Sequence, residues 1–364
     1  MYYNHRYNLI RFDLATSGTA YKLFVKALYD YVIVKEVTVS DVTVRSYFIG
    51  AKSLETNWSN RASLTYSTDI KGRKLVNEGQ NWLAANTGIT FTGLLDDYSG
   101  AAAAYSLRRL SSIYTGDAIV VRRSSDNATQ SIGFVNNELD RTTLNSFCSG
   151  ANGFITTWFD QSGNGFNATQ TTATDQPKIF DSVTGVVEIN GKPSIDFTGT
   201  GHLETVDTGI DVLIEQIQIV AYNNSQITST SSLQQLINTY GSAGFEGLAV
   251  GASTGALTNE TFTILNNGTA REAITDIINV GSHLFTVDWN GSQHNIYLDS
   301  NTGNYISAAT PVQLNSRRIA IGTRFGALIF DFQGQIQELI LYASDQSSNR
   351  TGIETNINDF YNIY

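Results

Sequence analysis

The chain has 364 residues, a length that suits one large β-sandwich with a smaller module. Charged residues make up only 15% of it, and a formal net charge of −10 disfavours a phosphate backbone as partner; no basic run with interleaved aromatics occurs. The single cysteine, Cys148, excludes an intrachain disulfide and a multi-cysteine zinc site, so stability must come from packing.

Aromatic residues reach 11%, with 18 Tyr and 18 Phe, and Val, Ile, Thr and Tyr crowd the apolar runs, which predicts a mostly β chain. The opening MYYNHRYNLIRFDLATSG lacks the basic start and apolar core of a secretory signal, and no run approaches a membrane span. The protein is expected to stay soluble where it is made, without membrane insertion.

Residues 1–92 read as a separate β-rich module. Val37, Val39, Val42 and Val44 alternate with polar residues, the period-two signature of strands with one buried face. Lys and Arg are denser here, and no proline precedes Pro177. The tyrosine-rich start is expected to be an extended arm that orders on a partner.

The boundary falls within AANTGITFTGLLDDYSG, and the following AAAAYSLRRL predicts a helix beginning near Ser99 or Gly100, because alanine and leucine favour one. Short strands come next, at 118–122, 155–159 and 186–197. Asn190-Gly191 is a tight-hairpin signal, and Asn290-Gly291 repeats it between two alternating runs. A short helix is expected in LDRTTLNSFCSG, capped by Asp140, with Leu144 and Phe147 on one face, Cys148 within it and Gly150 ending it. QIQELILY reads as a strand. At the C-terminus, Ile353, Ile357, Phe360, Tyr361 and Tyr364 recur at helical spacing, which predicts a terminal helix packed on the sandwich. No repeat of 20–50 residues emerges.

The runs YSLRRLSSIYTGDAIVVRRSSDNATQSIGF and LNSFCSGANGFITTWFDQSGNGFNATQ resemble the catalytic domain of family-54 α-L-arabinofuranosidases. The later QPKIFDSVTGVVEINGKPSIDFTGTGHLET and the C-terminal segment resemble laminin-G/concanavalin-like modules of bacteriophage virion proteins. The resemblance implies a concanavalin A-like antiparallel β-sandwich, or jelly roll, over residues 93–364, with a few short helices. It also implies, in the enzymes, a vicinal Cys-Cys pair and an Asn-Ala-Glu nucleophile segment. Neither occurs in this sequence, so no catalytic residue is assigned from the resemblance.

Asp160, where an apolar run meets a glycine-punctuated loop, can brace the turn, contact a ligand or act as an acid; the bracing role is favoured. Asn164 lies in the same loop. Arg122, Arg123 and Asp126 in VVRRSSDN could clamp an acidic sugar, since guanidinium forks match carboxylates, or form an ion-paired strand end. These five are the candidate ligand contacts. No cofactor is expected; calcium is the one candidate, with Asp160, Asn164, Asp126 and Asn127 as donors, although their spacing lacks a dense calcium-loop pattern. His5, His202, His283 and His294 are scattered without a metal-binding motif. Trp158 and Trp289 are expected to be buried rather than stacking platforms.

The resulting expectation is a non-enzymatic structural protein of a bacteriophage particle, a head decoration, fibre or tail-associated component. It would assemble in the host cytoplasm and lie at the virion surface. Residues 1–92 would anchor it to other virion proteins and support a homo-oligomer, a trimer being one arrangement, while the sandwich adheres to a host-surface glycan. The alternative is a glycoside hydrolase acting on host surface polysaccharide, with Asp126, Asp160 and Asp196 as the carboxylates to test.

Overall fold

The computed structural model describes residues 6–16, 19–27, 30–39, 42–50, 74–76, 91–210, 216–224, 234–238, 247–251, 260–265, 270–274, 281–289, 294–302, 318–323 and 331–364. The chain divides into two compact units, residues 1–91 and 92–364.

Among its described residues, the first unit is a five-stranded sheet. Strands β1 (Arg6–Thr16), β2 (Thr19–Ala27), β3 (Asp30–Val39) and β4 (Val42–Gly50) form an antiparallel meander, and β5 (Lys74–Val76) lies parallel to the start of β1. Val37 pairs with Val44 and Val39 with Val42, so the alternation in the sequence corresponds to two facing strands. From Arg6 onward the tyrosine-rich start is ladder-paired and not an extended arm: Arg6, Tyr7 and Asn8 pair with β5, and the chain from Asn8 pairs with β2.

The second unit is mostly β, a large curled sheet of antiparallel strands with few helices. Its outer layer is centred on the strand Gly334–Tyr342, which pairs with β6 (Ala101–Ser106) on one side and with the strand Gln216–Asn224 on the other; the latter pairs in turn with Gly281–Trp289. Strand β7 (Ile119–Arg123) is flanked by β8 (Thr129–Ile132) and by β11 (Gly153–Trp158), while β9 (Phe134–Val135) and β10 (Glu138–Leu139) form a small hairpin.

Among the described residues, two apolar clusters hold this unit together. The larger contains Tyr105, Ile119, Val121, Trp158, Phe197, Phe285, Phe332, Leu339 and Leu341. The second lies on the opposite face of the same strands, where Ala101, Ala104, Ile219, Leu284, Ile340 and Tyr342 meet the helices α1 (Leu94–Asp97) and α3 (Arg350–Tyr361) through Leu94, Ile353, Ile357 and Tyr361. Residues 339–342 therefore alternate between two cores, which is why LILY reads as an unbroken apolar run. Burying Ile353 and Ile357 stabilises the helix docking by about 1.5–3 kcal/mol each.

Residues 101–106 are a strand, not the helix their alanines predict. The strand is buried on both faces, Ala103 and Tyr105 toward the larger core and Ala104 toward the helices, so small side chains let α3 approach the sheet; packing overrides local propensity. Helix α2 (Arg141–Cys148) forms where expected: the Asp140 carboxylate accepts from Thr143 N at 3.0 Å, Leu144 and Cys148 are buried, and Gly150 has φ +80°. The strand pair Glu188–Ile189 and Lys192–Pro193 turns through Asn190 (φ +52°) and Gly191 (φ +73°). Gly281–Trp289 pairs with His294–Leu298 up to Trp289 and His294; Asn290-Gly291 itself lies outside the described residues.

Candidate functional site

β11 runs apolar through the buried Trp158 and releases its chain at Asp160. The loop beyond turns at Gly163 (φ +92°) and Gly165 (φ +78°), left-handed conformations that glycine adopts without penalty. This places Asp160 beside the backbone of β6.

Asp160 is 4% exposed, and its two carboxylate oxygens accept four hydrogen bonds. Oδ1 takes Ala104 N and Ser162 N, both at 2.9 Å; Oδ2 takes Ser162 Oγ at 2.8 Å and Phe166 N at 3.0 Å. Four donors fill the acceptor capacity of a carboxylate, and its own N–H donates to Asn167 Oδ1 at 3.0 Å. The geometry is that of a loop brace.

Asn164 reinforces the same seam, its amide donating to the carbonyls of Ala101 at 3.2 Å and Ala102 at 3.0 Å. Gln161, which the sequence reading passed over, contributes most: its N–H donates to Ala104 O at 2.7 Å, its Oε1 accepts from Leu110 N at 2.8 Å, and its Nε2 donates to Ser106 O and Arg108 O at 3.0 Å each. The signal available in the sequence was a glutamine directly after the strand-end Asp160. Burial and the neighbouring Asp160 charge hold the Tyr105 phenol well above its ordinary range, and the same two causes, with Asp117, push Tyr114 up to about 12.

The arginines behave as strand-end anchors. Arg122 donates to Gln176 Oε1 at 2.6 Å, Asn127 Oδ1 at 3.0 Å and Ala173 O at 3.1 Å, and stacks 5.1 Å from the Phe154 ring centroid. Arg123 faces the other way along the pleat. It clasps Asp126 with two prongs at 3.0 and 2.7 Å, donates to Phe147 O at 2.7 Å and covers the Phe147 ring. The Arg123 hydrogen bonds, aided by Ala128 N, bring the Asp126 carboxyl down to about 2.

The structure does not gather the five residues into one site. Arg123 pairs with Gly153 and Ile119 with Trp158, so Asp160 lies six residues along the ladder from Arg123, about 20 Å away at strand rise. The four oxygen donors considered for calcium are likewise separated, and Asp126, Asn127 and Asp160 already serve intramolecular donors; they do not fit one ion. Among the described residues no group of three or more His, Cys, Asp or Glu is arranged to hold a metal, and no helix is long and apolar enough to cross a membrane.

Asp196 accepts from Thr198 N at 2.9 Å in a local turn. His202 is buried; its Nδ1 contacts Thr200 O at 2.9 Å and its Nε2 lies 2.7 Å from Gln170 Nε2, which fixes the proton on Nδ1 because the amide nitrogen can only donate. His283 contacts Asp299 Oδ2 at 2.8 Å. His5 and the side chains of His294 and Trp289 lie outside the described residues.

The family model for the catalytic domain of alpha-L-arabinofuranosidase B matches residues 97–193. A family-54 α-L-arabinofuranosidase soaked with a cyclic sulfate inhibitor matches with a TM-score of 0.58 at 16% identity, over 73% of this chain and 65% of that one. A mutant of such an enzyme soaked with 4-nitrophenyl α-L-arabinofuranoside gives 0.57 at 17% identity, with the same coverage. An arabinofuranosidase complexed with arabinofuranosyl-alpha-1,2-xylobiose gives 0.50 at 16%, over 73% and 64%. The chain thus spans less than two thirds of the length of these enzymes. No curated protein matches the sequence. Over most of its length, the chain shares the β-sandwich fold of the family-54 α-L-arabinofuranosidases.

Proposed function

We propose that residues 92–364 act on carbohydrate as a glycoside hydrolase of surface polysaccharide. One observation supports this above the rest: the match to a catalytic-domain family model falls on residues 97–193, within a sandwich of the same fold as the arabinofuranosidases. Retaining hydrolysis needs two carboxyl groups about 5 Å apart, one attacking the anomeric carbon and one protonating the leaving oxygen. Asp160 is a poor candidate for either, since four donors already occupy its oxygens. Asp126, clasped by Arg123, is similarly engaged.

The test is release of 4-nitrophenol from 4-nitrophenyl α-L-arabinofuranoside, and of reducing sugar from a panel of arabinose-bearing and bacterial surface polysaccharides, by the full chain. Turnover abolished by a single carboxylate change that leaves the fold intact supports the proposal. Absence of turnover on the whole panel overturns it.

A second reading is adhesion without turnover, and one sequence feature favours it: a chain with a single cysteine has no vicinal cysteine pair of the kind the resemblance implies. In this reading the sandwich is displayed at a virion surface, with the separate β-meander of residues 1–91 as the attachment and oligomerisation module to other virion proteins. Glycan-array binding with no product release, together with labelling of intact particles by an antibody to the chain, would favour adhesion over hydrolysis.

A further inference from the structure

The hairpin at Asn190-Gly191 does more than reverse the chain. Both residues are exposed, both have positive φ, and the space beside the Gly191 Cα is open. From this turn the Asn190 amide reaches the end of α3 and donates to Asn362 O at 2.8 Å and Tyr361 O at 3.4 Å. The last carbonyls of a helix have no partner within it, and they form the negative pole of its dipole. α3 has no basic residue in its last turn, and its chain leaves through Asn362 at φ +54°. An amide supplied from a distant hairpin therefore caps the last carbonyls of this helix, alongside the Asn362 N–H that closes onto Asn358 O.

We propose that Asn190 is a site of spontaneous covalent modification, deamidation to aspartate and isoaspartate, and that its conversion releases the C-terminal end of α3. The Gly191 backbone nitrogen, unshielded by a side chain, loses its proton to water or hydroxide and attacks the Asn190 side-chain carbonyl carbon. A new C–N bond forms, the Cγ–Nδ2 bond breaks, and the amide nitrogen leaves as ammonia with a proton from solvent. The resulting five-membered imide is opened by water at one of its two carbonyls. Net, the side-chain amide and one water become a carboxylic acid and ammonia, with no change of oxidation state.

Either product replaces two N–H donors with a carboxylate facing the negative pole of α3. Opening toward isoaspartate also inserts a carbon into the main chain of a two-residue turn. That turn is tied at both flanks, by Arg141 to Gly191 O at 2.7 Å and by Gln337 to the carbonyls of Ile189, Lys192 and Pro193. The strain therefore passes to Lys192, whose ammonium lies 4.0 Å from the Phe360 ring centroid, and so to the last turn of the helix. Asn164-Gly165 has the same dipeptide, but its amide is held by three acceptors, Ala101 O, Ala102 O and Ser162 Oγ, against two at Asn190, one of them at a long 3.4 Å.

The experiment is timed incubation of the full chain at mildly alkaline pH, with peptide mapping that separates aspartate from isoaspartate and hydrogen exchange of Arg350–Tyr361 on the same samples. Expected is conversion at Asn190 ahead of Asn164, with helix exchange rising in step with the converted fraction. Asn190→Asp, which carries one product from the start, should raise exchange in the last turn about two- to fivefold at neutral pH, and less once the carboxyl is protonated. Conversion of Asn164 first, no conversion at Asn190 while a short Asn-Gly peptide converts fully, or conversion with unchanged helix exchange each overturns the proposal.

Discussion

Arg108 and Glu338 form a two-pronged ion pair, Nε to Oε2 and NH2 to Oε1, both 2.8 Å, with the Glu338 side chain wholly removed from solvent. Ser106 Oγ at 2.7 Å and Tyr361 OH at 3.1 Å also donate to Glu338, and the Arg108 guanidinium covers the Phe360 ring at 4.7 Å. The pair thus joins the chain leaving β6, the central strand Gly334–Tyr342 and the terminal helix.

A buried charge left alone costs more than the intact pair contributes. Glu338→Gln is therefore expected to destabilise the second unit by about 3–5 kcal/mol, because Arg108 stays charged and loses its counter-ion. Replacing both residues with apolar ones, Arg108→Met with Glu338→Leu, should recover most of that loss. Calorimetric unfolding of the single and double variants measures both; equal loss in the two would show that Arg108 had relaxed to solvent.

The Asp160 brace makes a distinct prediction. Asp160→Ala removes the acceptor of three backbone N–H groups, those of Ala104, Ser162 and Phe166. A loss of about 2–4 kcal/mol is expected from such unsatisfied donors, measured by urea unfolding. If the residue only braces the loop, any turnover or glycan binding per folded molecule stays at the wild-type level. A large drop in kcat with unchanged stability would instead assign Asp160 to catalysis.

Which parts were legible in the sequence follows from where the deciding contacts lie. Asn190-Gly191, the Asp140 cap and the spacing Ile353, Ile357, Tyr361 are local signals, and each corresponds to its expected element. Ala101–Ser106 was misread because an alanine run carries no period, and the strand is selected by two cores and by a partner strand more than 200 residues away. The site residues follow the same division. That Asp160 could brace a turn was visible in its glycine-rich loop, but its partner Ala104 is 56 residues away. Gln176 and Ala173, which occupy Arg122, are 54 and 51 residues from it.

Cys148 offers a probe of opening. Burial pushes its thiol up to about 11, partly offset by Arg123, and its sulfur lies against Gly153. Both the scarcity of thiolate and the lack of access predict negligible reaction with a disulfide reagent at pH 8 in the folded protein. Labelling should follow unfolding in urea. Rapid labelling in native buffer would contradict the packing of α2 against β11.

Asp288 gives a pH dependence whose sign can be worked out. Burial raises its carboxyl, Asn295 and Arg350 oppose that, and Asp345 adds to it. A carboxyl raised on folding binds its proton more tightly in the native state, so its contribution is fully present below the ordinary carboxyl range and is lost as pH rises through the folded value. At neutral pH the group is a net cost, since its charge sits on a buried strand, where Asn295 Nδ2 donates to it at a long 3.3 Å. Asp288→Asn keeps a carbonyl oxygen to accept that bond and carries no charge. It is expected to raise Tm at neutral pH and to leave it unchanged in a buffer below the carboxyl range. Thermal scans of both proteins across that range decide the matter: a stabilisation that persists in acid would trace to packing and not to the buried charge.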